Sequence, residues 1–517
     1  MNRLAERAVG WLTLAAAGYT AVQVLRYFLP PHVPRYQLES AYFVLVAVAV
    51  LVVVVRDARY GFGNWSRDGN DGPAAWWSST STLTAVFIIG AFVLYAPALG
   101  IGFLSDDYVI ADWASRLELI HFSATGFIRP GVPLFWAMLG PLPGDLATAA
   151  HAANIALHGI NGILVTVVAL RLGLPRSEAV AAGAIFVLSA GLSEAIVWAS
   201  GVQDVLMTAL VLAAVALATV PRDPKIVAAI ITTLCAVLVK ETAVVTPFLV
   251  ALVFVARSRS RLDRAELTTV GALFAVVAGY LTVRLMLGVP SSFLAVNDWQ
   301  YLIKQLVAGA FATLGAPWTD AWWRSHVPLA LLRALAIVGL LAAAIHRWGR
   351  RDLRFRQAIA AAVWVLAATA PVFSLFFVGP NLEGARYVYL SAAAFSILLA
   401  VMAGTAAEWL GGQVRSRGVI LAAIVAIVVG SAVPATIADL ERWRRAASIR
   451  DTVLETVRRN LDRLECTTFT VEGTGDGIDG AYVFRNGLRE ALALRERTPP
   501  VSCRVAGVDG KIVVLPE

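Results

Sequence analysis

The sequence predicts an all-α polytopic membrane protein of about thirteen transmembrane helices, with a small α/β domain at its C-terminal end. Composition is the first reason. Of 517 residues, 58% are hydrophobic and 15% charged, with a mean hydropathy of +0.71. A water-soluble globular chain carries about 25% charged residues, so water on every side is excluded as the solvent of this one. The second reason is spacing, since apolar runs of about 20 residues recur, each able to cross a ~30 Å hydrocarbon core as a helix. The third is the placing of charge. Basic clusters fall between alternate runs, and that bias fixes the orientation of membrane helices.

Taken in order, the expected spans are 8–28, 39–55, 82–101, 147–170, 178–199, 203–220, 225–240, 242–257, 266–287, 327–346, 357–378, 387–404 and 418–437. Arg3 and Arg7 precede the first. Its apolar part is long and no small-residue cleavage site follows, so it reads as a retained span rather than a signal peptide. With the N-terminus cytoplasmic, the inner loops collect Arg56, Arg59, Arg67, Arg171, Arg176, Arg222, Lys225, Arg257, Arg259, Arg261, Arg264, Arg347, Arg350, Arg351, Arg354, Arg356, Arg415 and Arg417. The net charge of +8 is therefore a topology signal. No stretch interleaves Lys/Arg with aromatics on one surface, so nucleic acid is not an expected partner. The expected setting is the plasma (cytoplasmic) membrane, multi-pass, with the N-terminus inside and the C-terminal domain outside.

Three regions follow. Residues 1–81 form an N-terminal two-span addition, residues 82–437 a transmembrane region with long outer loops at 102–146 and 288–326, and residues 438–517 a soluble tail. The tail holds thirteen basic and thirteen acidic residues, so the positive excess belongs to the membrane part. It opens on a charged helical segment, LERWRRAASIRDTVLETVRRNLDRLE, and continues into β-like runs, CTTFTVEG, AYVFRNG and CRVAGVDGKIVVL, separated by Gly-rich turns. GTGDGIDG has the acidic and glycine content of a calcium loop without EF-hand spacing, and reads as a turn. Cys235 lies in a span, whereas Cys466 and Cys503 both lie in the tail. In an oxidising compartment that pair can form a disulfide; in the cytosol both would be free thiols.

No P-loop, GxGxxG, HExxH or paired CxxC occurs, so the sequence offers no support for ATP-driven transport, dinucleotide redox chemistry or a structural zinc site. Polar chemistry instead gathers at the expected outer ends of spans. In FLSDDYVIADW, Asp106 and Asp107 follow the third span, with Tyr108 beside them. One carboxylate could take a proton from an acceptor hydroxyl while the other orients it or holds a cation; equally, both could cap the next helix. His151, Asn154, His158 and Asn161 share one face of the fourth span, where they could line a wet cavity or bond helix to helix. Lys240 with Glu241, and Glu383 with Arg386, place cations beside carboxylates near the hydrocarbon boundary. Such a cation can snorkel to the headgroups, or hold the phosphate of a lipid-linked substrate whose tail stays in the bilayer. Glu194, Gln203 and Asp204, in SEAIVWASGVQD, add polar groups at the same level.

The succession FLSDDY, HAANIALHGINGILV, LSEAIVWASGVQDVLMTAL, LVKETAVVTPFLVAL and EGARYVYLSAAAFSILLA resembles the GT-C membrane glycosyltransferases over residues 82–404. It is most similar to the protein O-mannosyltransferase-like members, including the branch that carries tetratricopeptide repeats. This tail has no such repeat, and the two leading spans look like an addition. The resemblance implies an inverting transfer of a hexose, mannose among the candidates, from a polyprenyl-phosphate donor to an extracytoplasmic hydroxyl in the cell envelope. It implies Asp106 or Asp107 as the base and Lys240 and Arg386 as the groups that neutralise the departing phosphate. His151 and Glu241 would line the pocket, a place also expected for Tyr108, His158, Glu194 and Asp204. The acceptor, whether protein, lipid or glycan, is left open. No cofactor is required by the motifs, and a divalent cation on Asp106 and Asp107 stays an option. The competing reading is a lipid or glycan transporter or flippase. Such proteins often show inverted repeats and polar groups at mid-membrane, whereas here the ionisable groups sit at span ends.

Overall fold

The computed structural model describes residues 80–517 apart from 121–127, 143, 190, 221–222, 258–261, 289–334, 348–352, 373–382, 411–413, 431–432, 465–467, 472–476, 492–501, 509–510 and 517. The first two expected spans and most of the outer loop at 288–326 therefore lie outside the described residues. Those described build a helical bundle: α1 (Thr80–Tyr95), α2 (Asp106–Arg116), α3 (Gly131–Leu139), α4 (Leu146–Arg171), α5 (Arg176–Val187), α6 (Ser193–Val197), α7 (Val202–Ala218), α8 (Asp223–Val239), α9 (Thr246–Arg257) and α10 (Arg264–Met286). It continues with α11 (Leu335–Arg347), α12 (Leu353–Thr369), α13 (Tyr389–Leu410), α14 (Val414–Gly430), α15 (Val433–Leu464) and α16 (Leu488–Ala491). Among the described residues, five stretches are long and apolar enough to cross a membrane: Thr82–Gly100, Leu146–Arg171, Ala199–Ala218, Arg264–Met286 and Ala385–Leu410. Shorter apolar helices run over Pro224–Val239, Leu335–Arg347 and Arg417–Gly430.

Two expected spans are broken for local reasons. The run 178–199 divides into α5 and α6, with Gly191 between them at φ +87°, a conformation that costs glycine little. The run 242–257 begins with a 3-10 turn, Glu241–Val245, before Pro247 opens α9 one residue into its first turn, where a missing N–H costs nothing. Both breaks fall at the same end of the bundle and bring polar side chains there.

The centre is α4, packed by α1, α5 and α7, with α13 against α5 and α12. Close helix crossings depend on small residues, since lipid offers no hydrophobic drive for helices to associate. A Cβ on Gly162 of α4 would run into Val187 Cγ2, and one on Gly183 of α5 into Thr166 Oγ1 and the Gly162 carbonyl. Val93, Leu285, Met286 and Ile345 point outward, as lipid-facing side chains do. One end of the bundle is an arginine-rich knot: buried Glu178 accepts from Arg354 Nη1 and Nη2, both at 2.9 Å, and from Arg417 Nη2 at 2.9 Å, with Glu408 bridging the same two arginines. Arg354 and Arg417, two of the arginines expected in inner loops, thus meet at one pole.

At the opposite end the tail folds onto the bundle. The long helix α15 leads to β1 (Thr468–Val471), β2 (Gly477–Ile478), β3 (Ala481–Tyr482), β4 (Ser502–Val508) and β5 (Lys511–Pro516). Strand β4 pairs in parallel with β1 and antiparallel with β5, in register Val505 opposite Val471 and Val514. The short β2–β3 hairpin packs on α15, and α16 rests on α2. Cys466 lies outside the described residues, so the expected pairing with Cys503 does too; Cys235 on α8 is a free thiol.

Candidate active site

The N-terminal end of α7, the C-terminal end of α8 and the turn that leads into α13 converge beneath α2, α3 and the tail. They enclose a cavity of about 600 Å³. Its wall brings together Asp106, Lys240 and Arg386, which lie far apart in the sequence, and adds Arg129, Trp198, Gln203 and Tyr387. Apolar Val109, Ile110, Trp113, Val132 and Pro133 complete one side.

The acidic pair divides its labour. Helix α2 starts at Asp106, so both carboxylates stand in its first turn, where the helix dipole favours negative charge. Asp107 turns inward and is fully buried: Oδ2 accepts from the Leu104 amide at 2.8 Å, and Oδ1 accepts from the Ser200 amide at 2.7 Å and from the Ser200 hydroxyl. Burial pushes its carboxyl up to about 7, against the pull of the hydrogen bonds from Ser200 and Leu104. Asp106 turns to the cavity, where Asn486 Nδ2 donates to its Oδ1 at 2.6 Å. The two carboxylates do not converge on one point. Adjacent residues on a helix diverge by about 100°, which is the reason.

The cations are each tethered from behind. Arg386 donates from Nη1 to Glu194, from its backbone N–H to Glu194 Oε2 at 3.1 Å and from Nη2 to the Tyr387 hydroxyl at 2.8 Å; its guanidinium lies over Trp198 and Tyr387, 4.6 Å from each ring centroid. Lys240 is ion-paired with Asp204 and sits 4.6 Å over the Tyr387 ring. Arg129 donates from Nε to Glu241 Oε2 at 2.9 Å, from Nη2 to Glu241 Oε1 and from Nη1 to Gln203. Lys240 and Glu241, adjacent in sequence, therefore serve different partners. Likewise Arg386 is held by Glu194 rather than by Glu383. Each carboxylate fixes its cation in place, so Arg129, Lys240 and Arg386 are each paired and their donors held in fixed directions.

Several residues expected in the pocket stand behind its wall. Glu194, Asp204 and Glu241 are the tethers just described, and none lines the cavity. His151 lies against the Gly102 carbonyl through Nε2 at 2.9 Å, and His158 bridges the Tyr389 hydroxyl at 2.6 Å and the Val187 carbonyl at 2.9 Å inside the bundle. Asn154 donates to the Trp198 and Ala199 carbonyls and Asn161 to that of Val205, so the polar stripe bonds helix to helix. Tyr108 meets Phe103 edge-to-face and stacks on Phe484, with centroids 5.7 and 6.0 Å away.

Sequence reasoning passed over Arg129 and left the tail with several possible roles, covering the active site among them. Arg129 is one of few cations in an outer loop otherwise poor in them, and that scarcity was the available signal. A Cβ on Gly131 would stand 2.8 Å from Val239 Cγ2 and 3.2 Å from the Leu238 carbonyl, so the glycine lets α3 close on the end of α8 and carries Arg129 to Glu241. The tail gives Arg485, Asn486, Gly487 and Glu490 to the cavity wall. It also grips the loop before Asp106. Arg450 Nη1 donates to the Ile101 and Phe103 carbonyls at 2.6 and 2.8 Å, and the Ser105 amide donates to the Val483 carbonyl at 3.0 Å.

No family model and no curated protein matches the sequence. Solved structures do. ArnT from Cupriavidus metallidurans, bound to undecaprenyl phosphate, aligns over 83% of this chain and 86% of its own at 14% identity, with a TM-score of 0.45. The archaeal oligosaccharyltransferase AglB from Archaeoglobus fulgidus, in complex with an inhibitory peptide and a dolichol-phosphate, aligns over 73% of this chain at 10% identity, with a TM-score of 0.42. The chain spans 56% of that protein's length.

Proposed function

We propose that the protein is a membrane glycosyltransferase that moves a hexose, mannose among the candidates, from a polyprenyl-phosphate donor to an extracytoplasmic hydroxyl. One observation carries the reading: tethered Arg129, Lys240 and Arg386 share a cavity with Asp106, so fixed cations and a carboxylate base are offered to one ligand. In the reaction, the acceptor oxygen bonds to the anomeric carbon as the carbon–oxygen bond to phosphate breaks. The bonding pair leaves with the phosphate, whose charge grows from −1 to −2 and is met by the cations. The acceptor proton passes to Asp106 and then to water. Attack opposite the leaving group inverts the anomeric centre. Energy arrives in the donor bond, which accounts for a chain without a nucleotide motif.

In this reading the cavity end of the bundle faces outward and the arginine knot faces the cytoplasm, consistent with the bias of basic residues. The acceptor would be a protein, lipid or glycan of the envelope. The test is glycan mass spectrometry on a strain lacking the protein, complemented with the wild type or Asp106→Asn. A hexose missing from one envelope component, restored by wild type alone, is the expected result. Unchanged glycans in the deletion strain, or full restoration by Asp106→Asn, would overturn the proposal.

A further inference from the structure

Ser105, immediately before Asp106, has φ 49° and ψ −120°, a backbone conformation that a residue with a Cβ rarely adopts. Such strain persists only where the surroundings over-determine it. Here the surroundings are the tail. The Val483 carbonyl accepts from the Ser105 amide at 3.0 Å, and the Asn486 amide donates to Ser105 Oγ at 3.2 Å. Gly487, at φ +84°, lies so close that a Cβ would strike the Ser105 carbonyl. The Asn486 side chain then reaches Asp106 itself, with Nδ2 2.6 Å from Oδ1. An ionised carboxylate only accepts, so the amide nitrogen is the atom that must face it. With Oδ1 held, Oδ2 is the oxygen left for an acceptor hydroxyl.

From this geometry we infer that Asn486 is a positioning residue for Asp106, and that the segment Val483–Gly487 completes the active site rather than merely covering it. Resting on the glycosyltransferase reading, the inference assigns the tail a part in the chemistry that nothing in the sequence motifs suggests. A hydrogen bond to a charged group, lost together with the aim of the carboxylate, lowers turnover without touching the phosphate cations.

The experiment uses the full-length protein in nanodiscs, with radiolabelled undecaprenyl-phosphate mannose, glucose and galactose as donors and membranes of the deletion strain as the acceptor source. Undecaprenyl phosphate alone serves as the probe of the cation site. Asn486→Ala is expected to lower kcat about ten- to a hundred-fold, with donor KM and undecaprenyl phosphate affinity within about two-fold of wild type. The isosteric Asn486→Asp, which replaces the donor with a second negative charge, lowers kcat further, and Asn486→Gln recovers part of the loss left by Asn486→Ala. If wild type transfers sugar and Asp106→Asn does not, yet Asn486→Ala and Asn486→Asp both keep wild-type kcat, this inference fails while the parent reading stands. The same holds if kcat, KM and phosphate affinity all worsen together, which marks a structural role only. A wild type that transfers none of the donors while the deletion strain's glycans stay intact overturns both.

Discussion

Asp106 and Asp107 are neighbours in sequence, yet one carboxylate opens onto the cavity and the other is sealed against Ser200 and Leu104. Their substitutions are therefore expected to fail in different ways. Asp106→Asn removes a base while keeping size, so kcat falls about 10²–10⁴-fold and thermal stability in detergent is unchanged. In Asp107→Asn, one carbonyl oxygen must replace two acceptors, leaving a buried N–H facing an amide NH₂. The cost is about 1–3 kcal/mol of stability. Melting curves and donor turnover on both variants check the assignment; a stable, inactive Asp107→Asn beside an active Asp106→Asn would reverse it.

The buried carboxyl of Asp107 also sets a pH dependence. Its ordinary value is 3.8, and burial pushes it up to about 7 in the folded protein. Between those values the folded state holds a proton that the unfolded chain has released. The stability from this group is fully present below pH 3.8 and is lost as pH rises through about 7. Comparing melting temperatures of wild type and Asp107→Asn from pH 4 to pH 8 isolates the component. The wild type should lose more stability over that range than the variant, and parallel curves would contradict the burial argument.

Lys240 and Asp204 form a buried ion pair whose members depend on each other, with side chains 2% and 4% exposed. Asp204→Asn strands a buried ammonium, and Lys240→Met strands a carboxylate, each at about 3–5 kcal/mol. The double variant removes both charges and should be more stable than either single one. It should still bind undecaprenyl phosphate weakly, since the cation facing the cavity is gone. A double-mutant cycle on melting temperature, with lipid-phosphate affinity measured alongside, separates the tether from the ligand group.

Which parts of this site could be read from the chain alone follows from what each part needs. Asp106, Lys240 and Arg386 announce themselves because a charge at the end of an apolar run is costly and rare. The bundle is legible for the same reason, through runs that only a hydrocarbon core explains. What distinguishes Asp106 from Asp107, or sends Glu241 to Arg129 rather than to Lys240, is the angle between adjacent side chains and the partner 112 positions away. No local pattern encodes that. His158 and Asn161 show the limit from the other side: their helical spacing is the same whether they face a cavity or a neighbouring helix, and the structure places them against Tyr389 and Val205. Asn486 left no signal, because an exposed Asn before a glycine in a turn has the sequence of any other turn.

The arginine knot at the far pole supplies the control for every kinetic claim above. Glu178 is buried and accepts from Arg354 and Arg417, while a Cβ on Gly404 of α13 would collide with its carboxylate. Glu178→Gln keeps the volume but removes the buried carboxylate that accepts from both arginines, while Glu408, whose side chain is 35% exposed, still bridges them. Breaking such a buried network costs about 3 kcal/mol, so the melting temperature should fall clearly. Because α5 and α13 run from this knot to the cavity, a bundle that transmitted the change would also alter donor KM. The intervening core is close-packed and the cavity cations are tethered locally, so kcat and KM per folded molecule are expected to match wild type within about two-fold. Kinetics that shift while the melting temperature holds would show that the two poles are coupled, and would require the tethers at Arg129, Lys240 and Arg386 to respond to a charge at the other end of the membrane helices.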